Sequence, residues 1–173
     1  KKNLLDPVPF LKRNLQDRSQ RLRLSAVQML RKLGTPATID PLGQAALDDK
    51  QSETIRLKAI EAIGAVSLSD PGVVGRQVAV NNRRTAQLLG HPPLIDQGSI
   101  DRRQFRQIFY LSSITRNTDN SPTLMLRAVK SMGQVKDQSA VAALQEIISD
   151  HPSKALRKQA TRALSHVLSQ QYE

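Results

Sequence analysis

Apolar residues recur along this chain at a spacing that a helix gathers onto one side. Counted from Leu22, Ile55, Leu124 and Leu156, the fourth residue on is Ala26, Ala59, Ala128 and Ala160. The eighth is Leu30, Ile63, Met132 and Leu164, and the eleventh is Leu33, Val66, Val135 and Val167. Steps of 4, 4 and 3 hold all four positions on one face at 3.6 residues per turn. The second position is alanine in every copy, as expected where a neighbouring helix approaches too closely for a larger side chain. The pattern predicts four copies of one amphipathic helix, each closely packed against its neighbours.

Each patterned helix has a predicted partner. Asp6-Pro7 reads as N-cap and first residue of a helix to about residue 16, with Val8, Leu11 and Leu15 as its apolar stripe. Asp17-Arg18-Ser19 turns into the first patterned helix, about 20–33, which stops at Gly34. Thr35-Pro36 opens the next hairpin with a helix to about residue 47, in which Pro41 implies a kink or a late start. Asp48-Asp49 then turns into a helix over about 52–66. Ala26 to Ala59 spans 33 residues, the length of a two-helix repeat.

From Ala59 to Ala128 is 69 residues, with no copy at the midpoint. Ser69-Asp70-Pro71-Gly72 breaks the chain, a helix is expected over 73–89 ahead of Gly90, and His91-Pro92-Pro93 to Gly98 is expected as loop. A helix then starts at Ile100 or Asp101 and runs to about Ile114. Residues 67–100 are either a degenerate repeat or an insertion of about 36 residues (69 less 33) in a regular array. The insertion is the reading adopted, which makes 101–115 the first helix of the third hairpin. The third patterned helix is expected over 122–132, ending at Gly133. Asp137 or Ser139 caps a helix to about residue 148, with Val141, Leu144, Ile147 and Ile148 inward, and Asp150-His151-Pro152 leads into the last helix, 153–169.

Composition narrows the picture. Trp is absent and aromatics are 3% of the 173 residues, so the core is Leu, Ile, Val and Ala, in keeping with closely packed helices. No apolar run approaches the roughly 20 residues needed to span a bilayer. The chain opens Lys1-Lys2-Asn3 without Met or an apolar stretch, so no signal peptide is expected and a cytoplasmic location is the default; the missing Met is expected of a trimmed or mature fragment. Zero Cys excludes disulfides, thiolate zinc sites and Cys nucleophiles. The formal charge is +11, unevenly spread: residues 35–70 carry three Lys/Arg against six acids, residues 1–34 nine against two, and residues 71–117 seven against two. Such a field favours an anionic partner, whether acidic protein, nucleic acid or a phospholipid surface.

A turn Asp followed by an apolar-Arg-x-x-Ala-apolar helix resembles the HEAT repeat, above all the short HEAT-like repeats named after the phycobilisome lyases. The residues that carry the resemblance are Asp17 with Leu22-Arg23 and Ala26-Val27, Asp49 with Ile55-Arg56 and Ala59-Ile60, and Asp150 with Leu156-Arg157 and Ala160. The third copy keeps Asp119, Leu124 and Ala128-Val129 but has Met125 in the Arg position. The resemblance covers about 1–66 and 118–173. It implies a right-handed α-solenoid whose second helices line a concave face, with the recurring Asp and Arg tying one repeat to the next. Arg23, Arg56 and Arg157 are accordingly read as scaffold, since an Arg fork can join carboxylates and free helix-end carbonyls. Proteins of this type include bilin lyases, phycobilisome-degradation factors and many of unrelated role, so the resemblance implies the fold far more narrowly than the function.

Two stretches are candidate binding surfaces. In the middle, Arg76, Arg83 and Arg84 fall on one expected helix and Arg102, Arg103 and Arg106 on the next, where Phe105, Phe109 and Tyr110 interleave. Arginine beside aromatics grips phosphates and stacks on planar groups; the plainer reading packs Phe105, Ile108 and Phe109 into neighbouring helices and leaves the arginines solvated. The second surface is formed by the third and sixth residues after each repeat start: Ser25/Gln28, Lys58/Glu61, Arg127/Lys130 and Gln159/Arg162. These project from the packed seam and grow basic toward the C-terminal end. His91, His151 and His166 lack the spacing of a helical metal pair, most acids stand at turns and helix starts, and Gly34, Gly64, Gly90 and Gly133 fall near helix ends without forming a phosphate loop. Neither a cofactor nor a metal is expected.

The expectation is an all-α chain: one solenoid domain, 1–173, of antiparallel helical hairpins, regular over about 4–66 and 101–170 and irregular over 67–100. It is expected to be a non-enzymatic scaffold that presents a basic curved surface to an acidic protein. The alternatives are a phycobilisome-related lyase or chaperone-like subunit handling a linear tetrapyrrole, and a nucleic-acid-binding repeat module.

Overall fold

The computed structural model describes residues 6–66, 97–135 and 138–169, with the backbone alone for 97–105 and 138. Eight α-helices lie within them: α1 (Val8–Asn14), α2 (Gln20–Leu33), α3 (Ile39–Leu47), α4 (Glu53–Ala65), α5 (Gln97–Arg116), α6 (Pro122–Met132), α7 (Gln138–Asp150) and α8 (Lys154–Ser169). No strand occurs among the described residues. The helices pair as hairpins α1/α2, α3/α4, α5/α6 and α7/α8. Second helices stack in the order α2, α4, α6, α8, and first helices α3, α5, α7 stack behind them. The result is a two-layered all-α solenoid.

Local chemistry sets the helix ends. Gly34 takes φ 56, the left-handed conformation that closes α2, and its N–H reaches the Leu30 carbonyl at 3.1 Å. Ser121 caps α6 by accepting the Leu124 N–H at 3.3 Å, and Ser153 does the same for Leu156 at 3.4 Å. Pro41 produces a late start: a 3-10 turn at Pro36–Thr38 leads into α3, whose third residue is Pro41, within the first turn where no N–H is needed. Asp6 accepts the Val8 N–H at 3.0 Å, although Pro7 occupies the cap position expected for Asp6. One boundary needs correction. Helix α5 begins at Gln97, so Gln97 and Gly98, expected in a loop, are helical. A glycine is penalised least in a first turn, where the backbone donors have no intrahelical partner anyway. The helix expected over 73–89 lies outside the described residues.

The patterned faces form the seam. Ala26, Ala59, Ala128 and Ala160 are all buried, as are Ile55, Ile63, Met132, Leu124 and Leu156. A Cβ on Gly64 of α4 would lie 2.8 Å from the Ser131 Cβ and 2.9 Å from the Ser131 carbonyl oxygen on α6. A Cβ on Gly133, just after α6, would lie 2.9 Å from the Ala163 Cβ on α8. These two contacts set the pitch of the stack: the ninth residue of one repeat meets the seventh of the next.

Arginines tie the turns, but not as the resemblance implied. Arg23 donates to the carbonyls of Asp17 at 2.7 Å and Arg18 at 3.1 Å, and Arg157 to those of His151 at 2.6 Å and Pro152 at 3.0 Å. Both satisfy carbonyls of the turn within their own hairpin, not carboxylates of another. Arg56 alone of the three bridges repeats: its Nε donates to the Ala46 carbonyl at 2.9 Å and its Nη2 to Asn120 Oδ1 at 2.5 Å, while buried Asn120 donates to the Ile114 carbonyl at 2.9 Å. Removing Arg56 leaves the Asn120 oxygen and the Ala46 carbonyl without their donor. Arg56→Ala is expected to cost about 2–3 kcal/mol against about 1 kcal/mol for Arg23→Ala. Thermal unfolding followed by circular dichroism checks the ranking, and equal losses would contradict it.

A buried glutamine makes the other long-range tie. Gln107 on α5 is almost inaccessible, and its Nε2 donates to the carbonyls of Ile63 at 2.7 Å and Val66 at 3.0 Å. It thereby caps the C-terminal end of α4.

Candidate functional site

The fold divides the sequence-predicted residues between its two layers. On the first-helix layer, Arg106 of α5 forms an ion pair with Asp40 of α3, and the Tyr110 hydroxyl donates to the other Asp40 oxygen at 3.2 Å. Gly43 leaves the room on α3 that the Tyr110 ring fills. Burial, the Asp40 charge and the hydrogen bond to it push the Tyr110 hydroxyl up from its ordinary value, against the opposing charge of Arg106. Arg106 is thus neither free nor merely solvated. Phe109 meets Tyr110 edge-on with centroids 5.6 Å apart, yet remains 53% exposed and is not the core residue that the plainer reading made it. Arg102 and Arg103 stand on α5 with their side chains undescribed, and Arg76, Arg83 and Arg84 lie outside the described residues.

On the second-helix layer the third and sixth positions form two adjacent columns. Glu61 of α4 is their one acid. Its carboxylate accepts Lys58 Nζ at 3.0 Å from its own helix and Arg127 Nη1 at 2.7 Å from α6. Burial alone raises the Glu61 carboxyl, but the Lys58 hydrogen bond and the charges of Lys58, Arg127 and Arg31 outweigh it and hold the group below its ordinary value. Lys130 and Arg162 extend the column across α6 and α8, exposed and without an ion pair among the described residues.

The layers differ in charge as well. The four second helices contain twelve Lys/Arg and two Glu, whereas the four first helices contain six Lys/Arg and four acids. Arg106–Asp40 and Arg116–Glu146, the latter at 2.7 Å, pair charges within the first layer. Excess positive charge therefore lies along the second helices.

Three contributors escaped the sequence reading. Asp40 stands in the first turn of α3, where the sequence alone marks it no differently from other helix-start acids, and only the α3–α5 packing gives it Arg106. Arg31 stands at the ninth position, which is glycine in the second and third copies, so periodicity did not mark it as a surface cation. Gln107 gave no signal, since its carbonyl partners lie 44 and 41 residues away.

A depressed Glu61 carboxyl makes the ladder pH-dependent. Folded Glu61 releases its proton more readily than unfolded Glu61, so its contribution is present above the unfolded pKa near 4.3 and is lost as pH falls through the lower folded value. The stability of the wild-type chain is expected to fall more steeply on acidification below about pH 4.5 than that of Glu61→Gln. Urea midpoints between pH 3 and 7 measure this, and parallel curves would remove Glu61 from the ladder.

Among the described residues no group of three or more His, Cys, Asp or Glu is arranged to hold a metal, and no helix is long and apolar enough to cross a membrane. The hairpins stack with a cation-rich face along their second helices, and the protein is a helical-repeat scaffold. The sequence model of the HEAT repeats matches residues 4–74 and 111–171. The chain belongs to the HEAT-repeat family. Its fold is similar to that in the structure of the complex of CpcE and CpcF of phycocyanin lyase from Nostoc sp. PCC7120, at 16% identity and a TM-score of 0.61, over 90% of this chain and 79% of that one. Human deoxyhypusine hydroxylase in complex with glycerol aligns at 16% identity over 94% of this chain and 84% of that one, with a TM-score of 0.34. No curated protein matches the chain.

Proposed function

We propose that this HEAT-repeat chain is a non-enzymatic scaffold that holds an acidic protein on the face of its second helices. The observation that carries this reading is the pair of columns from Ser25/Gln28 to Gln159/Arg162: eight projecting positions contain four cations and one acid, and that acid is already paired with Lys58 and Arg127. A rigid stack holds such groups in place before binding, so little ordering is spent on association. In this reading residues 1–173 are one domain, with about 67–100 an insertion in the repeat sequence between the second and third patterned helices; the direct packing of α4 on α6 and of α3 on α5 supports it.

Charge reversal tests the face. In Lys130→Glu/Arg162→Glu, both residues are exposed and the fold is expected to survive. Affinity for an acidic protein captured from source lysate is expected to fall about tenfold or more, with a steeper loss at low salt than at high salt. Nuclease treatment that abolished capture would favour the nucleic-acid reading. A shifted absorption band on mixing with a linear tetrapyrrole would favour a lyase-type subunit, as in the CpcE–CpcF complex of phycocyanin lyase. Unchanged affinity in the double variant would reject the second-helix face.

A further inference from the structure

The end of the stack formed by the first hairpin is built differently from every interior layer. At the repeat start, Leu22 is 47% exposed, whereas Ile55, Leu124 and Leu156 are at most 2% exposed. At the seventh position after it, Met29 is 53% exposed against at most 6% for Ala62, Ser131 and Ala163; at the eleventh, Leu33 is 37% exposed against at most 5% for Val66, Val135 and Val167. The contacts of Gly64 with Ser131 and of Gly133 with Ala163 identify the seventh position as the side that meets the preceding repeat. In the first hairpin that side carries three large apolar residues on one stripe of α2, exposed among the described residues. Phe10 joins them from α1. It lies on the side of that helix away from Lys12, Leu15 and Gln16, which border the cleft toward α3. Four of the seven exposed large apolar side chains among the described residues therefore gather at one end, a concentration beyond the scattered apolar exposure of ordinary surfaces.

We propose that this end of the solenoid binds an amphipathic helix of a separate protein, apolar along one stripe and acidic along its flank. The occupant follows from charge. Neither α1 nor α2 contains an acidic residue, and exposed Arg13, Arg21 and Lys32 flank the apolar stripe. A second copy docking through the same face would set these cations against their own equivalents, whereas Glu and Asp beside an apolar stripe would meet them favourably. The incoming helix takes the place of a preceding second helix, with a small residue opposite Met29 as Gly64 stands opposite Ser131. This surface is separate from the cation columns of α4, α6 and α8, so either assignment can fail without the other.

The test uses the full chain and a labelled synthetic helix of about 18 residues, long enough to hold helical structure, with Leu at spacings of 4, 3 and 4, one Gly, and Glu on the flanks. Saturable binding by fluorescence anisotropy is expected, weakened at least tenfold by Met29→Glu and by Leu33→Glu. Both substitutions are at exposed positions, and unchanged circular dichroism is expected to accompany the loss. The same peptide with Lys for Glu is expected to bind at least tenfold more weakly, and Lys130→Glu/Arg162→Glu to bind the acidic peptide within about twofold of wild type. Absent binding, equal binding of the two peptides, or equal binding by Met29→Glu would overturn the proposal. So would a concentration-dependent dimer lost in Met29→Glu, which assigns the surface to a second copy, or peptide binding tightened tenfold by Leu4→Ser/Leu5→Ser, which assigns it to the chain's own first residues.

Discussion

Gly64→Val is expected to destabilise the protein by about 3 kcal/mol, the upper end for added volume at a packed contact, and to lower the melting temperature by about 10 °C. The added Cβ would meet Ser131 Cβ at 2.8 Å, its carbonyl oxygen at 2.9 Å and its Cα at 3.0 Å. Two of these atoms are backbone of a helix, so no rotamer change clears them and α4 must move away from α6. The opposing gain is small: replacing glycine inside a helix with valine recovers about 0.5 kcal/mol of propensity. The clash wins. Because α2 stacks on α4 and α8 on α6, displacement at this contact would also disturb the cation columns that run across them. Thermal unfolding by circular dichroism measures the effect, and a melting temperature within about 2 °C of wild type would mean that α4 and α6 do not approach this closely.

Gln107→Ala is expected to cost about 3 kcal/mol through a different mechanism. The side chain is buried, and its amide satisfies two carbonyls at the end of α4 at once. Each acceptor left dry costs about 1–2 kcal/mol, and the vacated volume adds to the loss. Gln107→Leu separates the contributions, since it fills the space without restoring a donor and is expected to recover less than half. Gln107→Glu is expected to be at least as damaging as alanine at neutral pH, because a carboxylate would face two carbonyl oxygens. Urea unfolding ranks the three variants. A glutamate variant as stable as wild type would show that the amide is not the donor to Ile63 and Val66.

Much of this arrangement was legible in the sequence because repetition multiplies weak signals. One amphipathic helix is ambiguous, but four copies with alanine at the same place specify both the helix and its close neighbours. The bounds of α2 and α6 followed from Gly34, Pro122 and Gly133. The same periodicity misled at the first copy: it predicted burial for Leu22 and Leu33, which are exposed among the described residues, because burial at those positions depends on a neighbouring helix and not on the spacing alone. Partnerships across layers were not legible. Asp40 with Arg106, Gln107 with the end of α4 and Arg56 with Asn120 join residues 41 to 66 positions apart. Nothing local distinguishes such a residue from a solvated one. The cation columns were readable because they share the repeat's spacing, whereas Arg31 was not because it falls where other copies have glycine.

Lysine reactivity in the complex with the acidic partner tests the central claim most directly. Lys58 and Lys130 lie in the proposed face, while Lys12 and Lys50 lie away from it on α1 and on the turn before α4. If the second-helix face is the binding surface, acetylation of Lys58 and Lys130 will slow on complex formation while Lys12 and Lys50 react as in the free chain. Protection of Lys12 and Lys50 with full reactivity at Lys58 and Lys130 would contradict it.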